Sequence, residues 1–274
     1  MIELLARGPA VLFCPADRPE LLSKALERAD AVVMDLEDAV AADRKSHARE
    51  TARQVLRDFP SSHLAVRVNA PATPWFADDV DALAEFGSIP LVIPMAESAS
   101  QLGRALDHAL IPLIETPRGV AAAAELADAS PTVALMWGSE DLAVALHSRA
   151  SRPHGSLTPV MQAARSAVLL AAAAAGKPVI DAVLPDFRPM ARELVIAEGR
   201  EAADMGFDAK ACIHPAQVAW IRESFRASDE DLERASQIVS AAERHSGAFS
   251  LDGEMIDAPI ISHARRILAL SGLA

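Results

Sequence analysis

Residues 31–37 read Ala31-Val32-Val33-Met34-Asp35-Leu36-Glu37, a run that is apolar on both faces until it ends in acids. A half-buried strand alternates polar and apolar residues. A run with no polar face reads instead as a strand covered on both sides, the condition of a parallel sheet. Working outward from it, similar β-prone runs occupy Ala10–Ala16, His63–Asn69, Pro90–Ala96, Leu110–Glu115, Val133–Ser139, Pro178–Val183 and Ala209–Pro215. Segments rich in Ala, Leu, Glu and Arg predict helices over Pro19–Arg28, Asp43–Arg57, Thr73–Glu85, Ser98–Leu106, Gly119–Ala127, Pro159–Ala175, Arg188–Met205 and Pro215–Phe225. Alternation through eight units predicts an α/β fold closed as a (β/α)8 TIM barrel over residues 1–225, with a doubly wound open sheet as the alternative. Residues 226–274 hold two further helix-like stretches around Gly247–Pro259. They predict a C-terminal helical extension, too short for an enzyme domain of its own, that caps the barrel or docks on another subunit.

The bulk numbers fit one large barrel. The chain has 274 residues, 51% hydrophobic and 23% charged, which is a globular composition. A formal net charge of −12 argues against nucleic acid as a partner, because polyanions are held by clustered Lys and Arg. It leaves room for one phosphorylated ligand in a local basic pocket. The longest apolar stretches, such as Ala167–Ala175, fall short of a membrane span, and Met1 is not followed by a signal-peptide pattern. Cys14 and Cys212, far apart and without metal-ligand spacing, read as buried, reduced thiols of a cytoplasmic protein.

A parallel barrel carries its active site at the C-terminal ends of its strands, so polar residues belong there. The second run ends in Asp35-Leu36-Glu37-Asp38, the third in Arg67-Val68-Asn69 and the fifth in Glu115; Glu140-Asp141 follow the sixth, the seventh carries Asp181, and His214 follows the eighth. Glu115 and Asp141 are hard oxygen donors on adjacent strands, a set suited to Mg²⁺ completed by water and substrate. No H-x-x-x-H or cysteine cluster points to zinc. Mg²⁺ at this place chelates an α-hydroxy or α-keto carboxylate and acts as a Lewis acid. The alternative for Asp141 is a helix N-cap. Arg67 faces the same mouth, either stabilising an oxyanion or enolate or serving as a structural partner of Glu37 or Asp38. His214 is a general base by type, or the residue that holds the loop before Pro215. Arg18, Lys24, Arg44 and Lys45 supply charge for a phosphate, or are a solvated helix face. No Gly-rich phosphate loop is present, so nucleotide hydrolysis and dinucleotide hydride transfer are set aside.

Several stretches together resemble one family. They are Leu12-Phe13-Cys14-Pro15-Ala16-Asp17-Arg18-Pro19, Val33 to Asp38, Val66-Arg67-Val68-Asn69, Ile114-Glu115-Thr116-Pro117-Arg118-Gly119 and Trp137-Gly138-Ser139-Glu140-Asp141-Leu142. Gly206-Phe207-Asp208, Cys212-Ile213-His214-Pro215 and Gly253-Glu254-Met255-Ile256-Asp257-Ala258-Pro259 complete the set. The resemblance is to the HpcH/HpaI aldolase and citrate lyase β-subunit group, in particular its short stand-alone citrate lyase β-like members, and it spans essentially the whole chain. It implies a (β/α)8 barrel that assembles as a homotrimer, uses Mg²⁺ and makes or breaks a carbon–carbon bond in 3-hydroxyacyl-CoA thioesters such as citramalyl-CoA, malyl-CoA or citryl-CoA, with an α-keto acid as the second product. It further implies Glu115 and Asp141 as metal ligands, Arg67 at the thioester, Arg18 at coenzyme A, and Asp257 as an acid/base reaching a neighbouring subunit's site. Two outcomes stand beside the lyase: a malyl-CoA thioesterase, and a citrate lyase β subunit active only within a multi-protein complex. The sequence departs from the family at Met95, where lysine is common, and at Ser139, where alanine is usual.

Overall fold

Side-chain alternation decides what enters the barrel. The computed structural model describes residues 2–59 and 63–270, and among these the chain divides into two compact units, residues 1–224 and 225–274. In the first unit the strands are β1 (Ala10–Pro15), β2 (Ala31–Asp35), β3 (Leu64–Arg67), β4 (Leu91–Ile93), β5 (Leu110–Ile114), β6 (Leu135–Trp137), β7 (Val179–Asp181) and β8 (Ala209–Cys212). They pair in parallel in that order, and β8 returns to β1 to close the barrel. The open-sheet alternative is thereby excluded.

The flanking helices are α1 (Pro19–Arg28), α2 (Lys45–Asp58), α3 (Phe76–Leu83), α4 (Pro117–Ala121), α5 (Ala123–Asp128), α6 (Ser139–Ala145), α7 (Pro159–Ala174), α8 (Arg192–Met205) and α9 (Pro215–Phe225). Proline stands at the start of α1, α4 and α7, where its missing N–H costs nothing, and Gly206 closes α8 at φ 104°.

Every strand is shorter than the apolar run that announced it, because the ends of each run turn out of the ladder toward the loops. The segment read as a helix over Ser98–Leu106 is a 3-10 turn at Ala99–Ala105. The one read over Gly119–Ala127 is split into α4 and α5. The short helix α6, between β6 and α7, is foreshadowed only by the helix that Asp141 was expected to cap, and it begins two residues before Asp141.

Every second strand residue points inward. Val11, Ala31, Val33, Ala65, Val92, Ile111, Leu113, Met136, Ile180 and Ala209 share one interior cluster, closed at the bottom by Leu4 and Leu5 from a 3-10 turn before β1. The next inward positions along β2, β3 and β5 are Asp35, Arg67 and Glu115, so alternation alone lifts the interior from apolar to charged at the C-terminal mouth.

The second unit is more than a helical extension. It consists of α10 (Asp229–Ala242), the antiparallel pair β9 (Phe249–Leu251) and β10 (Glu254–Ile256), and α11 (Ala258–Leu270). Asp252 and Gly253, at φ 54° and 85°, make the tight turn, as Asp-Gly favours. Arg234 of α10 clamps that turn through Asp252 at 2.9 Å and Glu254 at 2.5 Å. Ala235, Ile238, Ile256 and Ala264 form this unit's core. Residues 271–274, the last of the predicted extension, lie outside the described residues. No described helix is long and apolar enough to cross a membrane.

Candidate active site

Asp35 and Arg67 are register partners on β2 and β3, and their side chains meet directly. Arg67 donates from Nε to Asp35 Oδ1 at 2.8 Å and from Nη2 to Asp35 Oδ2 at 2.6 Å, a bidentate fork. Its Nη1 reaches Glu37 Oε2 at 2.8 Å and Asp38 Oδ2 at 3.4 Å. The guanidinium lies 5.0 Å from the centroid of Phe13. The structural alternative for Arg67 is what the contacts show. It is the structural partner of Glu37 and Asp38, and Nη2, with one bond to Asp35, keeps a second N–H. Although burial opposes its charge, the carboxylates around it raise its pKa further.

Glu115 follows β5 and is buried. Its Oε1 accepts from the Met95 N–H at 2.8 Å, and Met95 takes a left-handed backbone, φ 50°, to present that N–H. What position 95 gives Glu115 is thus a main-chain donor, which methionine supplies as well as the lysine usual in the family. Gly138 is equally committed: a Cβ there would lie 2.8 Å from Glu115 Oε2 and 3.0 Å from its Cβ. Glycine is the residue that leaves Glu115 its place.

Asp141 stands in the first turn of α6, but the N-cap is Gly138, which offers no side chain. The N-cap alternative for Asp141 is thereby corrected; a carboxylate in the first turn still suits the positive end of the helix.

Electrostatics set this group apart. Burial pushes Glu115 up to about 8, with the Asp141 and Glu37 charges adding to the rise and the Met95 N–H and Arg67 opposing it. Burial likewise lifts Glu37 to about 7 against the pull of Arg67. Asp141 is raised by burial and by Asp38, against Arg67. Glu37 pairs with Arg67, whose charge opposes all three rises, and a further cation would favour the ionised forms in the same way. Among the described residues no group of three or more His, Cys, Asp or Glu side chains forms a ready-made metal cage. Zinc would need one, whereas Mg²⁺ takes one or two carboxylates and fills its octahedron with water and substrate oxygens. The donor set fits Mg²⁺.

The other candidates fall elsewhere. Arg18 is exposed where β1 passes into α1. Lys45, read as a cation for a phosphate or as part of a solvated helix face, is instead buried and donates to the carbonyls of Leu36 and Glu37 at 2.8 and 2.7 Å, so it braces the acidic loop after β2. Arg44 pairs with Asp17 at 3.3 Å. Of the four cations read for a phosphate, Arg18 and Lys24 remain exposed without such a commitment. His214 stacks on Phe187 at 4.6 Å, and its Nδ1 accepts from the Ala216 N–H at 3.1 Å, which is the loop-holding role. Asp257, in the second unit, caps α11 through Oδ1, which accepts from the Ile260 N–H at 3.3 Å.

Asp181 is a correction. It follows the inward-pointing Ile180 and so faces the wall behind the barrel. There it accepts from Trp137 Nε1 at 2.7 Å, from Arg165 Nε and Nη2 at 3.0 Å each, and from Lys210 Nζ at 2.8 Å. Lys210 also holds Glu198 at 2.8 Å. Asp181 is thus consumed in a buried ionic cluster that sequence reading missed.

Residues 9–215 match the family described as HpcH/HpaI aldolase/citrate lyase. The chain belongs to the HpcH/HpaI aldolase/citrate lyase family. Within it, the chain is 42% identical over 276 residues to a citrate lyase subunit beta-like protein of Mycobacterium tuberculosis, covering 100% of this chain and 99% of that one. It is 37% identical to a (3S)-malyl-CoA thioesterase of Cereibacter sphaeroides (95% and 93% covered). It is 30% identical to the mitochondrial citramalyl-CoA lyase of Homo sapiens (96% and 85% covered). Its fold superposes with a TM-score of 0.90, at 41% identity over 97% of this chain and 99% of the other, on the crystal structure of protein CitE from M. tuberculosis in complex with magnesium, acetoacetate and coenzyme A.

Proposed function

We propose that this protein is a Mg²⁺-dependent carbon–carbon lyase that cleaves, and in reverse forms, a 3-hydroxyacyl-CoA thioester of the citramalyl, malyl or citryl type. The products are acetyl-CoA and an α-keto acid. The observation that carries this reading is the acidic barrel mouth, where Glu37 and Asp38 pair with Arg67 and buried Glu115, raised to about 8, feels the charge of Asp141. The support from outside the site is the family's chemistry and the magnesium and coenzyme A bound by the M. tuberculosis relative.

In this reading Glu115 and Asp141 hold the metal. Bound Mg²⁺ would supply Lewis-acid polarisation of the substrate's hydroxyl and carboxylate oxygens. As the substrate hydroxyl loses its proton, its C–O bond becomes the keto carbonyl, the adjacent carbon–carbon bond breaks, and the electron pair passes into a thioester enolate. Arg67 donates the remaining Nη2 N–H to that enolate, and the Asp35 fork fixes the plane from which it does so. Arg18 carries positive charge toward the phosphates of coenzyme A. Asp257 returns a proton to the enolate carbon of a neighbouring subunit's site, which requires a closed oligomer, here a homotrimer. The two free, buried cysteines favour a reducing, cytoplasmic setting.

The malyl-CoA thioesterase relative favours a second reading, in which water attacks the thioester carbonyl and no carbon–carbon bond breaks. One assay separates them. Purified protein with Mg²⁺ is given a panel of 3-hydroxyacyl-CoAs, and free thiol and α-keto acid are measured together. The lyase yields keto acid without free thiol. Free thiol without keto acid would establish the thioesterase, and no turnover of any free CoA thioester would point to a subunit that works only inside a complex. Glu115→Gln and Asp141→Asn should each abolish turnover and Mg²⁺ binding with the fold retained; unchanged Mg²⁺ affinity in both would refute the metal assignment.

A further inference from the structure

A short helix normally has its first turn fixed by a Ser, Thr, Asp or Asn at the N-cap. In α6 that position is Gly138, given up to make room for Glu115. The turn that carries Asp141 therefore has no side-chain cap of its own, and Arg152 instead holds the side chains of its first two residues. Arg152 Nη1 donates to Ser139 Oγ at 2.8 Å and to Glu140 Oε1 at 2.7 Å. The Ser139 and Ser151 hydroxyls donate to the same Glu140 oxygen at 3.0 and 2.6 Å. The other edge of the guanidinium is anchored in the wall. Nε and Nη2 fork onto Glu198 of α8 at 2.6 and 2.9 Å, and Nη2 also reaches the Val183 carbonyl at 3.2 Å. Glu198 is itself held by Lys210. A planar group bonded on both edges transmits the position of α8 to the first turn of α6, and Asp141 is the next residue along.

We propose that Arg152, acting through Ser139 and Glu140, is the positioning residue for Asp141. It fixes the height and rotation of the α6 first turn, so that the Asp141 carboxylate is presented ready-made to a divalent cation. Ser139, where the family usually has alanine, gives this chain an additional link in that clamp. The inference rests on the assignment of Asp141 as a Mg²⁺ ligand.

The experiment is calorimetric titration of MgCl₂ into full-length wild type, Asp141→Asn, Arg152→Met and Ser139→Ala, with thermal unfolding recorded in parallel. Asp141→Asn should abolish binding. Arg152→Met should weaken it about 10- to 100-fold, the usual consequence of losing an outer-shell support. Ser139→Ala removes one hydroxyl and leaves the Arg152–Glu198 fork intact, so it should keep the wild-type unfolding temperature and weaken Mg²⁺ about two- to tenfold. If Arg152→Met does not fold, Ser139→Ala decides alone. Wild-type affinity in Asp141→Asn would overturn the metal assignment and this inference with it. Loss of binding in Asp141→Asn, with wild-type affinity in Ser139→Ala and in any folded Arg152→Met, would overturn the positioning role only.

Discussion

Neutralising Glu198 tests whether the buried cluster behind the barrel stabilises the fold, and the structure sets both the size and the pH range of the effect. Burial alone would push this carboxyl up. Lys210 at 2.8 Å and Arg152 at 2.6 Å reverse that and hold it at about 2, against 4.5 for the free side chain. A carboxyl lowered from 4.5 to about 2 carries about 3 kcal/mol of folded-state preference for the ionised form. The sign follows from the direction. Because the folded value lies below the unfolded one, the contribution is complete above about pH 5. It is lost as the pH falls toward 2, with about 2 kcal/mol gone by pH 3. Glu198→Gln lacks this contribution. At neutral pH it should be the less stable protein by about 3–5 kcal/mol, since Lys210 and Arg152 lose the buried carboxylate they share. The gap to wild type should then narrow by about 2 kcal/mol between pH 6 and pH 3. Urea unfolding followed by tryptophan fluorescence reads this unit alone, because Trp75, Trp137 and Trp220 all lie within residues 1–224. Other carboxylates titrate in the same range, but they cancel in the difference between the two proteins. A gap that stays constant or widens in acid would refute the assignment of Glu198 as an ionised, charge-stabilised group.

Three further outcomes follow from the site. Arg67→Lys keeps the charge but loses the planar fork onto Asp35, and should lower kcat on the order of 10²-fold or more; near wild-type kcat would reduce Arg67 to an ion-pair residue. Gly138→Ala should displace Glu115, weaken Mg²⁺ binding and cost about 1–3 kcal/mol of stability, and unchanged Mg²⁺ affinity by calorimetry would contradict the close approach at 2.8 Å. Asp257→Ala and Arg67→Ala should each be inactive alone yet recover activity when co-assembled as mixed trimers, at a fraction set by random assembly; no recovery after verified subunit exchange would confine Asp257 to its own subunit or to its role as a helix cap.

Much of this was legible in the sequence, and the phase of each strand says why. Glu115 continues the inward series Ile111, Leu113; Arg67 continues Ala65; Asp35 continues Ala31, Val33. A charged residue in phase with inward apolar ones, at a strand's C-terminal end, has only the barrel mouth to occupy. Asp181 also lies at a strand end but one residue out of phase, directly after inward Ile180. Lys210 is out of phase as well, between inward Ala209 and Ala211. Both therefore face the wall, and counting strand endings without their phase grouped Asp181 with the mouth. The β9–β10 hairpin carried a readable Asp-Gly turn. Arg152 did not announce itself: it lies in the aperiodic stretch between α6 and α7, where no repeat fixes a direction.

Phase also separates the two sets of charge by what they need. The outward set is paired within the protein: Asp181 and Glu198 are held by Arg152, Arg165 and Lys210, and Glu140 and Glu201 take the remaining reach of Arg152 and Arg165. Burial there is compensated, and nothing further is required. The set at the mouth is not matched: Asp35, Glu37 and Asp38 share the one guanidinium of Arg67, while Glu115 and Asp141 sit close by with their charged forms disfavoured. A fold that balances buried charge a few residues away, yet leaves this group acidic, is what the proposed Mg²⁺ site would require. Net charge of −12 could not have revealed that, since it counts both sets alike.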